Sequence, residues 1–222
     1  VGRFLQVSTD EVMGSLPESE DAFFTEDSPF EPNSPYAASK TAAEHFVRAA
    51  HETFGMDTVI TRCGNNYGYR QFPEKLIPLM ISNAINDEPL PLYGDGKNVR
   101  DWIFVTDHCE AIWQVFENGK TGEAYNIGAR NTKANIDVVT TILDLLDKPH
   151  SLIAPVKDRL GHDRRYAIDP TKIETELGWR AKTDWENGIQ KTIDWYLANQ
   201  EWIDRIRNGE YREYYEKMYS GK

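Results

Sequence analysis

Cysteine is scarce in this sequence. Cys63 and Cys109 are the only two in 222 residues, and they stand in no C-x-x-C or other metal-ligand spacing. That count excludes a disulfide framework and points to a reducing, cytoplasmic setting. No apolar run approaches the roughly 20 residues that cross a bilayer, and no charged-then-apolar leader opens the chain. A soluble protein with no membrane partner is the expectation. Positive charge is also short: 25 basic residues against 36 acidic ones leave a net charge of −11, with no tract that could track a phosphate backbone. A nucleic-acid partner is therefore not expected. The five histidines lack ligand spacing, so no metal site is expected either. No initiator Met stands before Val1, and the chain runs almost at once into strand-like sequence, as if it began in the middle of a sheet.

What is present alternates extended and helical patterns, which points to an α/β class with a sizeable core. The opening strand ends in Ser8-Thr9-Asp10-Glu11. Asn33-Ser34-Pro35 places a capping residue before a proline in the first turn, and Tyr36 to Phe54 has helical apolar spacing closed by Gly55. Thr58 to Cys63 is β-branched and strand-like, ending at a turn-rich Gly64-Asn65-Asn66-Tyr67-Gly68. Strand, helix and strand make a βαβ unit. Further helices are expected over Lys75 to Ile85, His108 to Phe116, Ile136 to Leu146 and Trp185 to Ile206, and strands over Val99 to Val105 and Glu123 to Ile127. The six tryptophans, spread along amphipathic segments, read as packing residues. The tail from Glu201 to Lys222 reads as a solvated helix.

The strongest chemical signal is Tyr36 with Lys40. Residues at i and i+4 share a helix face, so the ammonium can sit beside the phenol and lower its pKa toward the working pH. Asp10 and Glu11 stand at the carboxyl end of a sheet strand, where open α/β sheets bind ligands. Two neighbouring carboxyls in different environments can act as an acid and a base.

These residues carry a resemblance. Val7-Ser8-Thr9-Asp10-Glu11-Val12 and Ser34-Pro35-Tyr36-Ala37-Ala38-Ser39-Lys40 resemble the extended short-chain dehydrogenase/reductase superfamily, and the T-D-E form resembles its dTDP-glucose 4,6-dehydratases. Asn65 to Gly68, Phe72 to Pro78, Pro91 to Gly96, Val99 to Trp102 and Asp158 to Tyr166 match the same family. The resemblance implies the C-terminal part of a Rossmann-type doubly wound parallel sheet over residues 1–66. A smaller α/β substrate-binding domain would follow over 67–222, with some segments returning to the first sheet. It implies NAD as cofactor, dTDP-glucose as substrate and a homodimer paired through the Tyr36 to Phe54 helix. Tyr36 would take the 4-hydroxyl proton, with Lys40 tuning it and contacting the nicotinamide ribose. Thr9 would bind the 4-hydroxyl, Glu11 would be the base at C5, and Asp10 would protonate the leaving 6-hydroxyl. Ser8 and Asn66 would complete the cofactor side. Asn65 and Arg100 would meet the diphosphate, a guanidinium being a planar fork suited to phosphate oxygens. Lys75, Leu76, Pro91, Tyr93, Asn135, Asp158, Arg159 and His162 would form the nucleotide pocket.

The sequence departs from the family at Met13, where a Tyr is usual, and at Tyr69, where a Pro is usual. The family's Gly-rich dinucleotide turn, G-x-x-G-x-x-G, has no match in these residues. The expectation is that a longer protein supplies it, and that this chain alone neither binds NAD tightly nor turns over. Two rival readings are a 4-epimerase or decarboxylase of the same superfamily, which needs Tyr36 and Lys40 but not both carboxylates, and a non-catalytic nucleotide-sugar-binding fragment.

Overall fold

The computed structural model describes residues 2–19 and 21–207. The first strand, β1 (Phe4–Thr9), leads into a single 3-10 turn, Asp10–Met13, and a long loop then reaches α1 (Pro35–Phe54). Ser34 caps that helix by accepting a hydrogen bond from the Ala37 amide, and Pro35 needs no donor at the first position. Gly55 ends it in the left-handed conformation, φ 62°, which costs a glycine little. The chain returns as β2 (Thr58–Cys63), parallel to β1 with Phe4 opposite Thr58 and Thr9 opposite Cys63. All six β2 residues are buried, as a strand covered on both faces requires. The expected βαβ unit is therefore present, and β6 (Ala124–Ile127) extends the sheet in parallel on the far side of β2.

A second sheet joins β3 (Asn65–Tyr67), β5 (Val99–Phe104) and the antiparallel β7 (Thr132–Ala134). A third is the parallel pair β4 (Leu90–Tyr93) and β8 (Ile153–Val156). The helices are α2 (Leu76–Ile85), α3 (Val105–Asn118), α4 (Asn135–Leu145), α5 (Thr171–Leu177), α6 (Trp185–Ala198) and α7 (Gln200–Arg207). One core gathers α2, α4 and α6 around Tyr67, Trp102 and Trp185. Another packs α3 and α5 on β2 and β6 through Val59, Val115, Ile127 and Trp179. Each fully buried aliphatic side chain contributes about 1.5–3 kcal/mol.

Several expectations are corrected. Asn65 to Tyr67 is a short strand and not a turn, because it lies parallel to β5 with Asn65 opposite Trp102. The helix expected over Trp185 to Ile206 breaks at Asn199, whose backbone leaves helical values and whose Nδ2 donates to the Trp195 carbonyl at 2.7 Å. The helix read as starting at His108 begins at Val105. Trp113 does not pack inside; it is 61 % exposed and stacks on Phe116. Of the expected tail helix, Gln200–Arg207 is described, and 208–222 lie outside the described residues. No helix among the described residues is long and apolar enough to cross a membrane.

Candidate active site

The end of β1 folds inward. Ser8, Thr9 and Asp10 are buried and Glu11 is half-buried. Thr9 Oγ1 caps the 3-10 turn by accepting from the Glu11 amide at 3.3 Å and donates to Asp10 Oδ1 at 3.3 Å. Asp10 is 2 % exposed, and its Oδ2 has no hydrogen-bond partner among the described residues. Burial, and then the negative charge of Glu11, push its pKa up to about 8, against the pull of Arg100. Its carboxyl is therefore a neutral acid near pH 7. Burial also raises Glu11, but Arg100, Arg159 and Lys75 draw it back. The two adjacent carboxyls thus differ in environment as the sequence predicts, one an acid and the other on the cleft wall.

Tyr36 sits in the first turn of α1, half exposed, with Lys40 Nζ 5.9 Å from its ring centroid. Lys40 Nζ donates to the Val7 carbonyl at 3.3 Å, which ties the helix face to β1. One expectation changes here. Lys40 does not depress the Tyr36 phenol; burial first, and then the neighbouring Glu11, Cys63 and Asp10, push it up. Cys63 Sγ joins the far side, donating to the Ser8 carbonyl at 3.6 Å and receiving from Asn66 Nδ2 at 3.4 Å. Its thiol is pushed up to about 12 by burial and stays neutral. Ser8 Oγ and Asn66 Oδ1 are buried without partners among the described residues.

Glu11 and Tyr36 open onto a cleft of about 580 Å³. Its floor and one wall come from Asn65, from Lys75 and Leu76 at the start of α2, and from Pro91 and Tyr93 on β4. Arg100 and Asn135 close it from below; both are buried, and Asn135 Oδ1 has no partner among the described residues. Arg159 and His162 lie over the Tyr93 ring, at 5.2 Å from the guanidinium carbon and 6.3 Å between ring centroids. Asp158 stands outside the cleft lining and holds His162 at 2.6 Å. Thr9, Asp10, Ser8, Lys40 and Asn66 are not among the residues that line it.

Arg100 is more constrained than its sequence suggests. Its guanidinium stacks on Tyr166 at 4.2 Å, and its terminal nitrogens donate to the carbonyls of Val99 at 2.7 Å and Asp163 at 2.8 Å. Sequence reasoning assigned no role to Asp163 or Tyr166, both of which line the cleft. Their place in the Asp158 to Tyr166 run is the signal that could have found them. Among the described residues no group of His, Cys, Asp and Glu could hold a metal ion.

A family model described as GDP-mannose 4,6 dehydratase matches residues 2–192. A dTDP-glucose 4,6-dehydratase of Xanthomonas campestris is 55 % identical over 95 % of this chain and 62 % of its own length. The crystal structure of dTDP-glucose 4,6-dehydratase from Streptomyces venezuelae with NAD and TYD bound superposes with a TM-score of 0.90 at 47 % identity, covering 93 % of this chain and 63 % of that one. The Bacillus anthracis dTDP-glucose 4,6-dehydratase in complex with NAD gives 0.88 at 50 %, over 91 % and 64 %. This chain therefore spans under two thirds of the relatives it matches. Its α/β architecture with Rossmann-type parallel strands is theirs. The chain belongs to the GDP-mannose 4,6 dehydratase family.

Proposed function

From that membership and from the geometry of the cleft, we propose that the protein dehydrates dTDP-glucose to dTDP-4-keto-6-deoxyglucose. The observation that carries this reading is the pair Asp10 and Glu11, a buried neutral acid beside a carboxylate facing the same cleft as Tyr36. An epimerase has no use for that pair.

One end of NAD fits the residues present. The orphan oxygens Ser8 Oγ and Asn66 Oδ1 stand on either side of Cys63, close to Lys40, and suit a nicotinamide ribose and amide. When bound, NAD supplies a place for hydride to leave to and return from. The chain's own residues do the rest. Tyr36 must give up its own proton to solvent first; as the phenolate it takes the proton of the sugar 4-hydroxyl as C4 is oxidised, and Thr9 orients that oxygen. The resulting 4-ketone acidifies C5-H, so Glu11 removes that proton while Asp10 gives its proton to the 6-hydroxyl, which leaves as water. Glu11 then returns a proton to C5 as C6 is reduced. Lys40, anchored on the Val7 carbonyl, stands 5.9 Å from the Tyr36 ring and fixes that face of α1 against β1.

The nucleotide is placed on the other half of the cleft. Tyr93, Pro91 and Leu76 give the base apolar walls, and Lys75, Arg100 and Arg159 supply the cations a diphosphate needs. Asn65 and Asn135 face it with amides, and Asp158 acts through His162. Residues 1–66 would form the cofactor-side domain and 67–222 mainly the nucleotide-sugar domain, with β6 returning to the first sheet beside β2. A second copy is placed against α1, supported by the outward-facing Phe46, 78 % exposed. A cytoplasmic location is supported by free thiols at Cys63 and Cys109. The test is to incubate the protein as its gene encodes it with NAD+ and dTDP-glucose and read the alkaline absorbance of the 4-keto-6-deoxy sugar. Its appearance supports the reading, and a 4-epimer or unchanged substrate refutes it.

A further inference from the structure

Asp163 is 8 % exposed and collects donors from several parts of the chain. Its Oδ1 accepts from Asn33 Nδ2 at 2.6 Å and its Oδ2 from the Tyr166 hydroxyl at 2.5 Å. Its carbonyl accepts from Arg100 Nη2 at 2.8 Å and from Asn98 Nδ2 at 3.1 Å. Two residues earlier, Gly161 lies against the Asn33 carbonyl in the left-handed region, φ 65°, where an added Cβ would stand 3.0 Å from that oxygen. The run from Asp158 to Tyr166 is thus bonded to Asn33 through Asp163 and passes close to its carbonyl at Gly161. Asn33 immediately precedes Ser34, the cap of α1, and Tyr36 follows two positions on. The other end of the same run covers Tyr93 through Arg159 and His162.

We propose that Asn33 and Asp163 are positioning residues: their hydrogen bond holds the start of α1, and with it Tyr36, at a fixed distance from the loop that seats the nucleotide. This rests on the reaction proposed above. A nucleotide resting on 158–162 would sit in register with the phenol only while the joint is made. The cost of losing it falls on the chemical step, because misplacing a reacting group by about 1 Å can cost about 10²-fold in rate. Asn33 is exposed and lies outside both cores, so its removal leaves the fold largely intact.

The test uses the protein as its gene encodes it, with Asn33→Ala, Asp163→Ala, Asp163→Asn and the double alanine variant. With dTDP-glucose and NAD+, Asn33→Ala is expected to lower kcat about tenfold while KM stays within about twofold. Asp163→Asn, whose amide oxygen still accepts from Asn33, keeps more activity than Asp163→Ala. The double variant falls no further than the worse single one, as two halves of one contact must. Unchanged kcat in Asn33→Ala, a change confined to KM, or additive losses would overturn the proposal. Hydrogen exchange supplies a readout that needs no turnover. Saturating dTDP should slow exchange in the first turn of α1 in the parent protein and not in Asn33→Ala; equal slowing in both refutes the joint. If the parent makes no keto sugar yet shows that Asn33-dependent slowing, the joint stands and the reaction assigned above fails.

Discussion

Asp10→Asn isolates what holding an acid in this site costs the fold. Free in an unfolded chain the carboxyl titrates at its ordinary 3.8; in the folded protein burial moves it to about 8. Below about pH 4 both states hold the proton and the group contributes no pH dependence. Between the two values the unfolded chain releases its proton and the folded chain keeps it. Stability therefore falls as pH rises, by about 1.4 kcal/mol per unit, until the folded carboxyl ionises as well. The interval sets a ceiling of about 6 kcal/mol, comparable to the whole stability of many domains. Half of it, about 3 kcal/mol, is still well outside the error of a denaturant titration. Asparagine fills nearly the same volume and cannot ionise. Urea titrations followed by tryptophan fluorescence should find the variant's stability relative to the parent lowest at about pH 4 and below, rising steadily toward pH 8 and flat above, the window in which the linkage acts. The same variant should lose the keto product, since an amide cannot protonate the 6-hydroxyl. A stability difference that does not change between about pH 5 and pH 9 would refute the idea that Asp10 is the buried neutral acid.

Glu11→Gln should leave oxidation at C4 possible and cut release of the 4-keto-6-deoxy product by about 10²–10⁴-fold, the usual reach of a general base. Loss of deuterium uptake at C5 from heavy water checks that the missing step is the one at C5. Arg62 and Glu44 form a buried ion pair at 2.8 Å that fixes α1 to β2, so Arg62→Ala, which strands Glu44, should cost about 3–5 kcal/mol by urea titration. Arg62→Met with Glu44→Leu should recover most of that loss, and equal damage in the single and double variants would refute the stranded-charge argument. Phe46→Glu should shift the protein to a monomer by size-exclusion chromatography if α1 pairs with a second copy, and an unchanged elution volume would place the interface elsewhere.

The long periodic elements were legible because local chemistry and tertiary role agree. Ser34, Pro35 and Gly55 mark both ends of α1, and the β-branched run of β2 needs no context to be read. The strands β4, β7 and β8 were not, since three or four residues of Leu90–Tyr93 or Thr132–Ala134 carry too little pattern to separate them from loop. Asn65 to Tyr67 misled for the opposite reason. Gly and Asn favour turns locally, and only pairing with Trp102 to Phe104 makes the segment extended. The candidate site residues were legible as types at spacings. Their environments were not, because the rise of the Tyr36 phenol comes first from burial and then from Glu11, Cys63 and Asp10, and Cys63 lies across a strand pairing that no spacing encodes. Asp163 was invisible for the same cause, its partners Asn33 and Arg100 being remote along the chain.

That two adjacent carboxyls differ so much follows from where the strand stops. Along a β-strand successive side chains point to opposite faces, so neighbours would be placed one inside and one outside with no shared cleft. Here the pairing of β1 ends at Thr9, opposite Cys63, and Asp10 begins a 3-10 turn that advances about a third of a revolution per residue. Asp10 is turned into the layer between Thr9 and Arg100, and Glu11 swings onto the cleft wall beside Tyr36. The turn keeps them close enough for the Glu11 charge to act on Asp10, yet only one of them is sealed from water. Burial then does to Asp10 what no neighbouring cation reverses, and three cations keep Glu11 closer to an ordinary carboxylate. In the proposed reaction the acid and the base are separated by one change of backbone direction, so the order Thr-Asp-Glu, and not its composition, would carry the chemistry.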